Sequence, residues 1–222
     1  MIPIVSIVGL SNSGKTTLIE KIIPLLTKKG YRIATVKHCS HGFEMDKEGK
    51  DTWKHKKAGA KTIVAVSDKK IAMIRDIKER YKLEEIRDRF IEDVDLIIAE
   101  GYKTERYQKI EVIRDGVGKR PLCTRDNNLI AIVSDRKINI KGVPLININN
   151  PKAVAQFIEK RFVKNNKPSK KKKEGSVYLF VNGRRIIIKS FVQEWLARSV
   201  RAMVSTLRGG EKAKRIEISI GD

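Results

Sequence analysis

Two glycines, a lysine and two threonines near the start of the chain have the spacing of a phosphate-binding loop. Gly9 and Gly14 lie five positions apart, and Lys15, Thr16 and Thr17 follow directly. Glycines let the backbone turn its N–H groups inward, and the helix that follows adds the positive end of its dipole. The pattern therefore predicts a site for the phosphates of a nucleotide.

The residues of this loop have distinct expected roles. We expect Lys15 to reach the β- and γ-phosphates and the Thr16 hydroxyl to face a Mg²⁺ ion. The other phosphate contacts are expected from Gly9, Ser11, Asn12, Ser13, Gly14 and Thr17. An ordinary glycine-containing turn is the alternative. The flanking sequence argues against it, because an apolar run precedes the loop and an amphipathic stretch follows it, as in a strand–loop–helix P-loop.

A glutamate ends another apolar run, which reads Asp-Leu-Ile-Ile-Ala-Glu-Gly over residues 95–101. A strand here, beside the first one, would bring Glu100 to the carboxyl edge of the sheet, where ligands bind in open α/β folds. The Glu100 carboxylate could then bind Mg²⁺ or orient an attacking water. The alternative is a glutamate in a loop without a catalytic role.

A dense polar stretch runs from Lys37 to Asp51, after the second predicted strand. Read as a loop that reaches the γ-phosphate, it places Lys37 or Lys50 at phosphate oxygens and lets Asp46 or Asp51 complete the Mg²⁺ shell. A solvated charged loop is the alternative.

Histidine and cysteine in the same stretch raise the question of a zinc site. His38, Cys39 and His41 are close in sequence, but a second ligand pair at standard spacing is missing, and Cys123 is remote. Structural zinc is therefore disfavoured. Two cysteines also give no disulfide framework, and neither a signal peptide nor a long apolar span is visible, so we expect a reduced, cytoplasmic protein with no membrane segment.

The chain of 222 residues is strongly basic, with 48 Lys and Arg against 26 Asp and Glu and a net charge of +22. Residues 164–222 carry +10 of this charge. A basic chain is compatible with nucleic-acid binding, but no zinc finger, basic zipper or RNP signature occurs, and aromatic residues are only 6%. Nucleic acid is therefore an unlikely partner, and phosphate-rich small ligands or an acidic partner would exploit the same field.

Strand and helix patterns alternate over residues 1–163 and predict a layered α/β domain with a largely parallel sheet flanked by helices. The predicted strands cover residues 3–8, 32–37, 62–66, 71–75, 94–99, 109–113, 129–133 and 145–148. The predicted helices cover residues 16–29, 50–58, 83–90 and 151–163, with Pro24 as a kink or early end of the first.

The rest of the chain divides into a basic linker and a small unit. Residues 164–174 are polar and contain four consecutive lysines, so they cannot contribute to a core. Residues 175–222 predict a β-β-α-β unit: a hairpin around Asn182-Gly183, an amphipathic helix ended by Gly209-Gly210, and a third strand from Arg215 to Ile220. A unit this small is marginal alone, and we expect it to dock or pair.

The motifs together resemble the molybdopterin-guanine dinucleotide biosynthesis protein B (MobB) family. The resemblance is carried over residues 1–163 by GLSNSGKTT, the KH…H…D…GKD stretch, Ala58-Gly59-Ala60 and DLIIAEGYK. Ser40-His41 replaces the paired histidines that the family usually has after KH-x, which weakens any role that needs the first of that pair. The tail from Gly175 is similar to an extension of some archaeal members.

The resemblance implies a P-loop NTPase-like fold, binding of GTP and Mg²⁺, and a homodimer. It also implies assistance to the partner enzyme that attaches GMP to molybdopterin, and it leaves open whether molybdopterin itself binds. Asn-Lys-x-Asp, the usual guanine-reading motif of GTPases, is absent from the sequence. Asp135, after the strand 129–133, is a candidate guanine reader because its carboxylate could accept hydrogen bonds from guanine N1 and N2.

A small-molecule kinase on the same scaffold is the main alternative. It would need an acceptor pocket with a general base and a lid of arginines over the phosphates; those available around the middle helix are Arg75, Arg80, Arg87 and Arg89.

Fast GTP hydrolysis by the protein alone would need a positive charge at the γ-phosphate, often an arginine. The sequence places no arginine beside the P-loop or in the loop from Lys37 to Asp51. It therefore predicts a slow GTPase with Glu100 as its catalytic group.

Overall fold

The aliphatic runs of the first part of the chain assemble into one parallel sheet. The computed structural model describes residues 2–118, 120–123, 126, 128–164, 177–181, 184–186, 188–211, 213 and 216–218. Its first eight strands are β1 (Ile4–Val8), β2 (Ile33–Lys37), β3 (Thr62–Ser67), β4 (Lys70–Arg75), β5 (Leu96–Glu100), β6 (Lys109–Ile113), β7 (Leu129–Ser134) and β8 (Leu145–Asn147). Six of them form a sheet in the order β2-β5-β1-β6-β7-β8, and every neighbouring pair in that sheet is parallel.

Helices cover both faces of this sheet. They are α1 (Lys15–Thr27), α2 (Asp51–Lys57), α3 (Leu83–Phe90) and α4 (Pro151–Ile158), the last continued by a π-helical turn, Glu159–Val163. Apolar residues of α1 and α4 share one buried cluster with the sheet. Leu83 of α3 belongs to a second cluster, with Ile97 and Ala99 of β5. The predicted α/β class with a largely parallel, helix-flanked sheet is confirmed.

Two helices differ from their predicted form. The first continues through Pro24 and ends three residues later at Thr27, so burial of the apolar face around the proline outweighs the lost hydrogen bond and the ring clash that a proline brings to a helix interior. Its neighbours Ile22 and Leu26 are fully buried. The last helix, predicted as continuous from Pro151 to Val163, changes to π-helical geometry at Glu159, and its final residue Val163 is buried in the core.

A two-stranded antiparallel ribbon, β3 and β4, stands apart from the main sheet. Its register pairs Val64 with Met73 and Val66 with Ile71. Side chains at alternate positions lie on one face, so these four residues share a face. They are 48–74% exposed. The ribbon therefore presents an apolar face to solvent.

The chain divides into two compact units, residues 1–165 and 166–222. In the second unit β9 (Leu179–Val181) pairs antiparallel with β10 (Arg184–Ile186), and α5 follows (Ser190–Ser205). The linker residues 165–174 and the turn Asn182-Gly183 lie outside the described residues. Of the predicted third strand only residues 216–218 are described, and they are not in a strand. No helix within the described ranges is long and apolar enough to cross a membrane.

Candidate nucleotide site

The loop between β1 and α1 has the backbone shape that phosphate binding requires. Gly9 and Gly14 have φ of 146° and 91°, and Asn12 between them has φ of 61°. A Cβ at Gly9 would lie 2.3 Å from the carbonyl oxygen of Val112 in β6. Only glycine lets the loop pack this closely on the neighbouring strand. The sharp turn therefore depends on both the conformation and the smallness of Gly9.

The first residues of α1 carry the loop's polar groups. The Lys15 ammonium donates to the carbonyl of Leu10 over 2.6 Å, which holds it across the loop. The Thr16 hydroxyl donates to Glu100 Oε1 over 2.9 Å. A hydroxyl and a carboxylate are the oxygen donors that Mg²⁺ takes in P-loop proteins. The predicted neighbours Thr16 and Glu100 are thus in direct contact, although they are 84 positions apart in the chain.

The Lys15 ammonium lies in a mixed electrostatic environment. Burial lowers the pKa of Lys15 below its usual value, the charge of Glu100 raises it, and the charge of Lys37 lowers it further. The coupling to Lys37 indicates that the end of β2 faces the same site, where a second cation would add to the field that favours phosphate. Lys37 pairs with Glu100 in the parallel register of β2 and β5.

A tight turn at Gly101 and Tyr102 fixes the position of Glu100, the residue before it. Gly101 and Tyr102 both have left-handed backbone conformations, with φ of 92° and 58°. The Tyr102 side chain is buried, and its ring lies 5.4 Å from that of His38. The His38 N–H donates to the Glu100 carbonyl. Tyr102 and His38 thus hold the end of β5. The sequence analysis did not predict this role, although the residues Glu-Gly-Tyr directly after an apolar run could have indicated a tight turn there.

Asp46, Asp51 and Lys50 lie elsewhere in the loop after β2. Asp46 accepts hydrogen bonds from the Lys47 N–H and from Thr52, so its carboxylate organises the loop itself. Asp51 begins α2 and lies 3.9 Å from Lys54, with its side chain 90% exposed. Lys50 precedes α2 and is exposed. Within the described residues, neither aspartate hydrogen-bonds to Thr16 or Glu100, and no cluster of three or more His, Cys, Asp and Glu side chains could hold a metal.

Three of the four arginines considered for a kinase lid have other partners. Arg87 is 8% exposed and pairs with Asp88. Arg80 lies over the ring of Tyr102 and pairs with Glu105, and Arg89 lies over Tyr81. These contacts tie α3 and its surroundings to the domain, which argues against a lid built from these side chains.

Asp135 has a structural partner. Its Oδ1 accepts the backbone N–H of Asp115 over 2.9 Å, a contact between the ends of β7 and β6. Both residues are exposed at the carboxyl edge of the sheet. One Asp135 oxygen therefore positions the chain after β6, and the idea that Asp135 reads guanine stays a prediction.

Two arginines lie beside the P-loop. Arg114 and Arg120 line a small surface cavity together with Leu10 and Ser13 of the loop. The sequence predicted no arginine next to the P-loop, and this prediction is wrong for the folded chain. The two arginines are about 100 positions from the loop in the sequence, but the fold brings them beside it. Arg114 directly follows β6, and β6 pairs with β1. Strand order, which the sequence alone did not fix, was the missing information.

Comparison with known proteins gives one family. Residues 4–135 match the family model described as molybdopterin guanine dinucleotide synthesis protein B, MobB. The molybdopterin-guanine dinucleotide biosynthesis adapter protein of Escherichia coli (strain K12) is 36% identical over 75% of this chain and 97% of its own length. The protein of that name from Haemophilus influenzae is 35% identical over 71% of this chain and 88% of its own.

Other matches extend to the tail and to solved structures. A relative from Methanocaldococcus jannaschii is 29% identical and covers 98% of this chain, so its similarity includes the C-terminal unit. The crystal structure of molybdopterin-guanine biosynthesis protein B is 32% identical, with a TM-score of 0.57 over 71% of this chain and 97% of that one. The crystal structure of Bacillus subtilis MobB is 27% identical, with a TM-score of 0.56 over the same two shares.

Proposed function

Since the chain belongs to the MobB family, we propose that it is a GTP-binding adapter that assists the attachment of GMP to molybdopterin. The similarity to adapter proteins of molybdopterin-guanine dinucleotide biosynthesis supports the role in molybdenum-cofactor biosynthesis. A nucleotide supplied as GTP, with Mg²⁺, fits a guanylylation pathway. The partner in this proposal is the guanylyl-transferring enzyme, in the cytoplasm.

The observation that carries GTP and Mg²⁺ binding is the contact between Thr16 and Glu100 beside Lys15. The hydroxyl and the carboxylate would bind the metal directly or through water, and Lys15 would exchange the Leu10 carbonyl for phosphate oxygens. Lys37 would add positive charge from the end of β2. When bound, Mg²⁺ neutralises phosphate charge and orients the β- and γ-phosphates.

Titration of the full chain with GTP, ATP and GDP, each with and without Mg²⁺, tests this proposal. Lys15→Ala should weaken triphosphate binding by about 10–100-fold, the range for a lost hydrogen bond to a charged group. Thr16→Ala should weaken it mainly when Mg²⁺ is present. Lys28→Ala, at the other end of α1, is the matched control and should bind like the wild type. Equal GTP affinity in all three variants would contradict the P-loop assignment.

Adapter activity needs a separate assay. With the guanylyl-transferring enzyme and molybdopterin supplied, the full chain should stimulate dinucleotide formation, and Lys15→Ala should not. Phosphate transfer to a small acceptor without any partner would favour a kinase instead. The engaged arginines around α3 give no support to that alternative.

We extend the proposal to a homodimer formed through the β3–β4 ribbon. The exposed apolar face of Val64, Val66, Ile71 and Met73 is the supporting observation, because such patches often mark protein contacts. Val66→Lys should halve the mass measured by light scattering at micromolar concentration. Lys69→Ala, at the tip of the same ribbon, is the control. A wild-type mass equal to one chain would contradict the dimer.

A further inference from the structure

The cavity beside the P-loop combines positive charge with an unused hydroxyl. Its lining includes Ser13, Arg114 and Arg120, and also Glu111, whose carboxylate accepts two backbone N–H groups. Ser13 is 1% exposed, and its Oγ makes no hydrogen bond within the described structure. A buried hydroxyl without a partner destabilises the folded state, and native proteins rarely keep one without a reason. A ligand that accepts a hydrogen bond would remove this cost.

The two arginines also have no polar partner among the residues that the structure describes. Among the described ion pairs and side-chain hydrogen bonds, none involves the guanidinium of Arg114 or Arg120. The nearby Arg136, by contrast, donates to the carbonyl of Gly118. A guanidinium offers several N–H donors in a plane and suits phosphate oxygens. Two such groups around one cavity favour an anion.

The chain that carries these arginines is held firmly. We name residues 114–118 and 120–123 the arginine segment. Its end is fixed by the buried carboxylate of Glu111, which accepts the N–H groups of Leu122 and Cys123 over 2.6 and 3.0 Å. Its start is fixed by the bond from the Asp115 N–H to Asp135. The arginine side chains therefore project from a backbone that is already positioned, which lowers the entropic cost of binding.

The same segment touches the P-loop directly. A Cβ at Gly118 would lie 2.5 Å from Cδ1 of Leu10, so the backbone at Gly118 packs against the Leu10 side chain. The cavity lies on the β6 side of β1, whereas Thr16 and Glu100 lie on the β5 side. It is therefore next to the phosphate cradle and separate from the expected metal position.

We propose that Ser13, Arg114 and Arg120 form a second phosphate-binding subsite, beside the P-loop and distinct from the Lys15–Thr16 site. The assignment of its source rests on the proposed function. A dinucleotide forms when a phosphate oxygen of the acceptor attacks the α-phosphate of GTP and the bond to the β-phosphate breaks, so that pyrophosphate leaves. The group bound here is therefore either the phosphomonoester of the acceptor or a phosphate of GTP itself. The chemistry is the same, and the experiment separates the two.

The probe is inorganic phosphate, titrated into full-length protein saturated with a non-hydrolysable GTP analogue and Mg²⁺. Wild type should bind phosphate under these conditions. Arg114→Gln with Arg120→Gln should weaken that binding by about 10–100-fold, and Ser13→Ala by about fivefold, as expected for charged and neutral hydrogen bonds. Arg106→Gln, an exposed arginine outside the cavity, is the control.

The outcomes assign the source of the phosphate. Loss of phosphate binding with GTP affinity within threefold of wild type supports an acceptor subsite. If the saturated wild type binds no phosphate and the double variant loses tenfold or more in GTP affinity, the subsite belongs to the nucleotide. If the double variant matches the Arg106→Gln control in both titrations, the subsite does not exist. If Lys15→Ala does not weaken GTP binding, the proposed function is refuted. The comparison of the double arginine variant with Arg106→Gln still tests the subsite.

Discussion

The two strands that flank β1 support the P-loop in different ways. On the β5 side, polar groups satisfy one another: Thr16 is bonded to Glu100, and a tyrosine and a histidine hold the turn behind it. On the β6 side, Gly9 packs against the Val112 backbone and the Leu10 side chain packs against Gly118, while the Ser13 hydroxyl has no hydrogen-bond partner among the described residues. Under the proposed function we expect the first side to bind the metal, and the second offers donors for an anion.

Breaking the packing on the β6 side should have the largest effect. Gly9→Ala places a Cβ within 2.3 Å of the Val112 carbonyl oxygen, so β1 and β6 must separate or the loop must distort. We expect a loss of about 3 kcal/mol in the free energy of unfolding, at the upper end for overpacking, and loss of GTP binding. Urea unfolding measures the first and calorimetry the second.

Gly30→Ala is the matched control, because Gly30 also has a positive φ but a Cβ there would meet nothing within 4 Å. It should cost only the backbone strain, about 1–2 kcal/mol, and keep GTP binding. Equal losses in the two variants would mean that contact with β6 is unimportant.

Removing the charge of Glu111 should loosen the arginine segment selectively. In Glu111→Gln the side chain keeps only one oxygen, so the N–H group of either Leu122 or Cys123 faces an NH₂ group and loses its acceptor. We expect this to lower the free energy of unfolding by about 1–3 kcal/mol. We expect faster hydrogen exchange at these two amides, with the Mg²⁺ dependence of GTP binding unchanged. Glu20→Gln, an exposed residue of α1, should change none of these.

Removing the charge of Glu100 tests the β5 side. Gln can still accept the hydrogen bond from Thr16, so Glu100→Gln should keep most of the GTP affinity. Its weaker hold on Mg²⁺ or water should lower the slow GTP hydrolysis by at least about tenfold. Phosphate release under single-turnover conditions measures the rate. Unchanged hydrolysis would show that Glu100 is not the catalytic group and would direct attention to Arg114 and Arg120.

The smallest effect is expected from His38. Burial and the charge of Arg80 lower its pKa, and Glu105 raises it. A lowered pKa means that the unfolded chain takes up the proton first, so stability should rise with pH up to the usual histidine value of about 6.5 and level off above it. Thermal unfolding from pH 5 to 8 should show this slope in the wild type and less of it in His38→Gln. His41→Gln, which is exposed, should keep the slope.

Sequence patterns predicted the neighbours Thr16 and Glu100 because both residues belong to local motifs. The P-loop residues are contiguous, and Glu100 ends an apolar run that was expected beside β1, at the carboxyl edge where ligands of open α/β sheets bind. The arginine segment has no such motif. Its position depends on β6 being the other neighbour of β1 and on a buried glutamate that binds two backbone N–H groups, and periodicity predicts neither.

The loop after β2 shows a different limit. Its acidic residues have the right chemistry for Mg²⁺, but Asp46 accepts a hydrogen bond from Thr52, and Asp51 lies in the first turn of α2 with its side chain 90% exposed. Aspartate near a helix start is also the residue type that organises turns and caps. Residue type alone could not distinguish metal binding from turn or cap formation. The structure shows that the hydrogen bonds of Asp46 go to residues of its own loop and the start of α2.

Chemical modification of the buried Lys109 can report when the sheet opens. Lys109 is 1% exposed at the start of β6, and its ammonium donates to the Glu105 carbonyl and the Asp126 carboxylate. Acylating reagents need a free, accessible amine, so surface lysines should react at once and Lys109 only when the edge near residue 126 opens. Its rate of acylation, read by mass spectrometry, would therefore time the opening of the domain without any introduced label.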